Sequence, residues 1–191
     1  MRMPVKLLQQ YPWYLRPFFW LQKRKYGQVL QPALVWARVP VLFSAVAIFY
    51  GLLDRKSSPL NPALRSLVIV RVSQINWCQF CMDLNAYTLA QREGSMDKVE
   101  ALTHWNQSDL FDEHEKIVLE YTDAVTYTDQ KVTDELMRRL SKYLDADAII
   151  ELTALIAFQN MSSKFNSAID APSQGFCQLP SIETRRGKWR Y

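Results

Sequence analysis

From residue 63 to residue 171 apolar side chains recur every three or four positions, with no proline and a single glycine, Gly94. So long a stretch with so few breakers predicts consecutive α-helices, because a 3.6-residue turn lines such positions along one face. No run alternates apolar and polar side chains as a strand would. The helix ends follow from capping chemistry. In DEHEKIVLEYTDAV, Asp112 and Glu115 predict a capping box, each side chain accepting an amide proton that lacks an intrahelical partner. Thr133 opens TDELMRRLSKYL and Asp145 opens DADAIIELTALIAFQNMSSKF in the same manner. The pattern as a whole predicts helices near residues 39–53, 61–75, 78–93, 97–105, 112–126, 133–143 and 146–169, with Gly94 closing the third, and hence an all-α fold.

The pattern changes before residue 63, where seven of the nine prolines lie. The longest apolar run there, VPVLFSAVAIFYGLL at residues 39–53, is shorter than the ~20 residues that cross a bilayer, and Arg38, Asp54 and Arg55 bound it. It predicts a buried core helix. It starts too late for a signal peptide, and no uninterrupted apolar stretch follows the first charges, so no cleaved export signal is expected. The chain divides into an N-terminal arm with a first core helix (residues 1–54), a helical domain (55–171) and a C-terminal tail (172–191).

Charge sharpens that division. No Asp or Glu precedes Asp54, and residues 1–53 carry seven basic side chains, so of the net charge of +4 the remainder contributes 4 − 7 = −3. The arm is also crowded with aromatics, from Tyr11 and Trp13 to Trp36, and a small basic cluster (Arg185, Arg186, Lys188, Arg190) ends the tail. A basic aromatic segment suits a neighbouring subunit first and an anionic membrane surface second. Nucleic acid is not expected, because no nucleic-acid motif accompanies the charge.

At 191 residues the chain can bury a core without a disulfide or metal staple, so stability does not explain its cysteines. Three cysteines are too few for a secreted disulfide framework, and a CxxC in such a chain points to a reducing, cytoplasmic setting. The pair stands in NWCQFCMDLN as Cys78 and Cys81. At the start of a helix, unpaired amides and the positive end of the macrodipole favour thiolate, and the i, i+3 spacing lets the two sulfurs bridge without unfolding the turn. The competing readings are half of a metal site and two small buried hydrophobes. A metal site needs more ligands, and His104, His114 and Cys177 offer none paired at ligand spacing, so neither metal nor other cofactor is expected.

The run LRSLVIVRVSQINWCQFCMDLNAYTLAQREG, a short helix, and then DEHEKIVLEYTDAV together resemble the carboxymuconolactone decarboxylase family, in its alkylhydroperoxidase D (AhpD)-like branch. The similarity covers roughly residues 55–170 and leaves the arm outside. It implies an all-α fold, a trimer or hexamer, and a thiol peroxidase or disulfide-exchange activity. A hydroperoxide would be the substrate, and a dithiol or lipoyl-type protein the reductant. Cys78 and Cys81 carry over from the family motif, but its relay, a Glu in the preceding helix and a His four residues after the second cysteine, does not. Ser66 and Asn85 stand there instead. Asn85 shares the stripe of the cysteines and can donate a hydrogen bond to a thiolate, yet it cannot pass a proton as imidazole does. Cys81, nearest Asn85, is the expected attacking thiol.

Asp83 lies about 200° around the helix from the sulfurs, as a solvent or subunit contact. A substitute base would come from Glu151, Lys164 or residues 162–166. Cys177 is read as a solitary packed cysteine in preference to a resolving thiol. The rival function is a catalytically silent binding or assembly protein whose arm meets a membrane surface or partner. A ring-opening or decarboxylating activity follows from the family name alone.

Overall fold

The computed structural model describes residues 1–177, so the basic cluster at residues 185–190 lies outside the described residues. Nine α-helices are present among them and no strand: α1 (Arg16–Tyr26), α2 (Gln31–Trp36), α3 (Pro40–Leu53), α4 (Pro62–Ile75), α5 (Gln79–Glu93), α6 (Asp97–Ala101), α7 (Glu113–Thr126), α8 (Asp134–Leu140) and α9 (Ala146–Ala168). The reciprocal Asp112–Glu115 capping box opens α7, Thr133 Oγ1 accepts from Leu136 N at 3.2 Å, and Asp145 Oδ1 accepts from Ala148 N at 2.8 Å. The expected helix at 97–105 is shorter. It stops at Ala101 and gives way to a 3₁₀ turn (Leu102–Gln107), in which the indole of Trp105 donates to Asp123.

α4 is the axis of the molecule. Every residue from Leu64 to Ser73 is buried, because α5, α7 and α9 pack around it and leave no face to solvent. It buries two cations: Arg71 is neutralised by a two-pronged bond to Asp123, with both contacts at 2.6 Å, and Arg65 lies 3.6 Å from Asp54 and donates to Arg55 O at 2.9 Å.

Two arm helices, α1 and α2, are absent from the sequence-based expectation, and the prolines explain why. Pro17, Pro32 and Pro40 each occupy the first turn of α1, α2 and α3, where an amide has no intrahelical partner to lose. The residues that look like breakers are starts. The arm then folds back on its own chain. Arg2 N donates to Ile169 O at 2.7 Å, the Tyr11 phenol donates to Leu34 O at 2.8 Å, and Trp36 stacks on Phe165 with ring centres 3.8 Å apart. Tyr11, Leu15 and Phe19 form a second apolar core with Phe43, Phe80 and both cysteines of the pair.

The run at 39–53 is a helix, but not the buried core helix expected of it. Only Phe43 and Leu53 of α3 are buried, and Val41 is 78% exposed, Ile48 64% and Leu52 58%. A helix apolar all round has just one side covered by α2 and α9. Among the described residues no helix is long and apolar enough to cross a membrane.

Candidate active site

The turn from α4 into α5 sets the cysteine pair. Trp77 sits in the left-handed region at φ +54°, a conformation that costs a bulky side chain energy and that neighbouring polar contacts hold in place. Cys78 N donates to Ser73 O at 3.1 Å, and Asn76 Nδ2 donates to Asn160 Oδ1 at 2.8 Å and to Ser163 Oγ at 2.9 Å. Ser167 Oγ closes the arrangement by donating to Asn76 O at 2.8 Å. α9 therefore braces the turn through its polar stripe.

Cys78 is the N-cap of α5, and its Sγ accepts the Cys81 amide proton at 3.1 Å. The two sulfurs are joined as a disulfide, with the Cα atoms 5.1 Å apart. Cys78 is 1% exposed and Cys81 3%, so neither sulfur meets bulk water, but their surroundings differ. Cys81 opens onto an apolar cavity of about 310 Å³ and Cys78 does not. Asn166 lines the same cavity beside Cys81: its Nδ2 donates to the Cys81 Sγ at 3.3 Å, while its Oδ1 is buried with no hydrogen-bond partner.

The arm forms one wall of this cavity. Phe18, Gln22 and Tyr26 of α1 and Tyr50 of α3 line it opposite Cys81 and Asn85. Its ionisable side chains besides Cys81 are Lys25, Tyr26 and Tyr50; neither carboxylate nor imidazole reaches it from the described residues. Desolvation of its hydroxyl first, then Tyr26 and Asp54, raise the Tyr50 phenol above its ordinary range although the residue as a whole is 40% exposed, and it is a neutral donor at physiological pH.

Among the residues read from sequence, the structure brings together Cys78, Cys81 and Asn85, and from the 162–166 segment it adds Asn166. Ser66 is elsewhere, accepting from the Arg92 guanidinium at 2.9 Å beside Asp54. Glu151 is held by Arg55 and Ser58, and Lys164 is exposed. Neither serves the cysteines. Tyr26 and Tyr50 were missed because the arm reads as an appendage; the density of aromatics before residue 54 was the available signal.

Asp83 corrects an expectation. It does point away from the cavity, but it is 4% exposed and makes no solvent contact of consequence. Its carboxylate accepts the amides of Gln174 and Gly175, both at 2.8 Å, and of Cys177 at 2.7 Å. Gln174 in turn bonds Gln28 and the amide of Gln31, so this strap ties α5 to the arm that roofs the cavity. Cys177 is a free thiol outside the cavity lining, and burial followed by the nearby Asp83 charge raises its pKa, against any role that needs a thiolate. His104 is exposed and His114 stacks on Tyr143; no group of three metal-ligating side chains forms among the described residues.

The model of the carboxymuconolactone decarboxylase family matches residues 33–124, which include α3 and reach back into the arm. The uncharacterized protein YnjA of Escherichia coli (strain K12) is 47% identical over 173 residues, 91% of this chain and 95% of YnjA. A peroxidase-related protein with an AhpD core from Ralstonia eutropha JMP134 superposes with a TM-score of 0.82 at 22% identity, covering 92% of this chain and 93% of that one. The debrominase Bmp8, solved as a Cys-to-Ala variant with 2,3,4-tribromopyrrole, superposes with a TM-score of 0.79 at 20% identity, covering 90% and 91%. At these identities the two structures establish the shared fold, arm included.

Proposed function

The chain belongs to the carboxymuconolactone decarboxylase family, with an AhpD-like fold, and on that premise we propose that it is a dithiol oxidoreductase that reduces organic hydroperoxides. The observation that carries this reading is the asymmetry of the pair: Cys81 faces an apolar cavity and Cys78 caps a helix. In the reduced protein the Cys81 thiolate attacks the terminal peroxide oxygen. The O–O bond breaks, Cys81 becomes a sulfenic acid, and the alkoxide takes up a proton and leaves as an alcohol. The Cys78 thiolate, stabilised by the amides at the start of α5, then attacks the sulfenic sulfur and expels hydroxide, which is protonated to water. One dithiol and one ROOH thus give one disulfide, ROH and H₂O. An external dithiol or lipoyl-type protein returns the two electrons by exchange.

Two neutral groups support this step. The unpaired Asn166 Oδ1 beside Cys81 is an acceptor suited to the hydroperoxide O–H, and the Tyr50 phenol is a proton donor in the cavity wall. The apolar lining favours an organic hydroperoxide over hydrogen peroxide.

The test is a stoichiometric pulse of cumene hydroperoxide on reduced protein, followed by alkylation and intact mass. Two alkylatable thiols should vanish within the pulse, map to the Cys78–Cys81 disulfide and return with a dithiol. Oxidation no faster than that of free cysteine would leave the pair structural and favour the silent binding protein instead.

A second reading rests on the same aromatic lining. The pair can give its two electrons to a halogenated aromatic, so that R–X and two thiols become R–H, HX and the disulfide. Halide release from a bromopyrrole under the same pulse separates it from peroxide reduction.

Assembly into a homo-oligomer, a trimer or hexamer, is supported by the uncharged outer face of α3. Sedimentation velocity should give a mass that is a multiple of 22.3 kDa, and Ile48→Asp should reduce it to a single chain's. A parent protein that sediments as one chain would remove the proposal.

A further inference from the structure

We propose that the outer face of the arm docks on a bilayer surface rich in anionic lipid. α1 stands between two concave regions. Its inner stripe, with Phe18, Gln22 and Lys25, forms one wall of the cavity at Cys81. Its outer stripe carries Arg16, Trp20 and Lys23, at i, i+4 and i+7, into a separate groove of about 360 Å³ completed by Leu8, Phe19 and Val29. That groove is apolar at its base and cationic at its lips, which matches a lipid headgroup above its acyl chain.

Three observations select the bilayer. No acidic residue occurs before Asp54, and among the described residues neither Arg16 nor Lys23 has an acidic partner, so both charges are available to anionic headgroups. Of the groove's own lining Trp20 is 57% exposed and Leu8 47%, and the neighbouring arm segments expose Trp13 (77%) and Leu7 (68%). Tryptophan beside cations is the composition of a membrane–water boundary, where the ring's apolar body and N–H tip are both accommodated. The same two cations oppose the alternative of a second copy seated groove to groove, because Arg16 and Lys23 would meet their own like charges. A nucleic acid would satisfy the charge but offers no apolar phase to receive Trp13 and Leu7. Docking in this orientation lays α1 along the surface with the cavity directly behind it.

The docking claim does not depend on the thiol chemistry. It is tested by co-sedimentation of the full chain with vesicles of phosphatidylcholine containing phosphatidylglycerol, against phosphatidylcholine alone. The protein should pellet with the anionic vesicles, with a bound fraction that falls as salt is raised. R16Q/K23Q should lower the partition coefficient roughly 30-fold, the loss expected for two cations near such a surface. W13S/W20S should weaken binding while keeping its salt dependence. All these side chains are exposed, so the variants should keep the parent's circular dichroism, and Cys81→Ser should bind vesicles as the parent does. Failure of the parent to bind anionic vesicles at low salt would overturn the proposal, as would equal binding by R16Q/K23Q. A lipid-free sedimentation mass that falls on R16Q/K23Q would reassign the face to contact between copies.

Discussion

Cys81→Ser should abolish hydroperoxide turnover, with a loss on the order of 10³-fold or more, because the hydroxyl left in its place is not ionised near neutral pH and no second sulfur faces the cavity. Cys78→Ser should behave differently. Its Cys81 should still react once, and the sulfenic acid formed should persist because the resolving thiol is missing. Trapping that species with dimedone in Cys78→Ser and finding none in Cys81→Ser would assign the roles. The reverse pattern would exchange them, leaving the N-cap cysteine as nucleophile. The distinction rests on placement alone: both sulfurs are almost fully buried, and only Cys81 has the cavity and the Asn166 amide beside it.

The second large effect is a gain. Asn85→His returns an imidazole to the stripe one turn beyond Cys81, on the wall of the same cavity. A base positioned to take the thiol proton contributes about 10²–10⁴-fold, so kcat/KM for cumene hydroperoxide should rise on the order of 10²-fold near pH 7. The sign of the new pH dependence follows from the chemistry. Imidazole accepts a proton only when neutral, so the gain should be absent well below its ordinary pKa of ~6.5 and grow as pH rises through it. An unchanged rate with an unchanged pH profile would show that proton transfer from Cys81 does not limit this protein. It would also direct attention to Tyr50 and the protonation of the leaving alkoxide.

The helices from α4 to α9 were legible because both their signals are local. Apolar spacing marks a face, and a side chain such as Asp112 or Asp145 caps amides within three residues of itself. The same local reading failed in the arm. Proline in a first turn and proline in a break look alike in sequence, and only the following residues' tertiary contacts tell them apart. It failed again at α3, where an uncharged run says that water is unfavourable without saying whether one chain or several will cover it.

The candidate site divides along the same line. Cys78, Cys81 and Asn85 lie within eight residues on one stripe, so helical geometry alone joins them, and the resemblance to the family motif is what marked Ser66 and Asn85 as standing where that motif has a Glu and a His. Asn166 lies 85 residues from Cys81, and its contact exists because α9 packs on the α4–α5 turn. Ser66 is near Cys78 in sequence and yet serves Arg92, since the turns of α4 aim it elsewhere. Asp83 faces away from the sulfurs as its angle around the helix requires, but what it faces, the strap at residues 174–177, is a matter of chain return.

An all-α chain, a dithiol at a helix start and a basic, acid-free first quarter could be read from the residues alone. Those are properties of residue type and short spacing, settled by side-chain chemistry and the pitch of a helix. Packing between distant segments set the arm over the cysteines, opened Cys81 and not Cys78 onto the cavity, and chose the polar groups around it. These depend on packing between segments far apart in the chain, where burial of apolar area selects the partners and no local pattern records the choice.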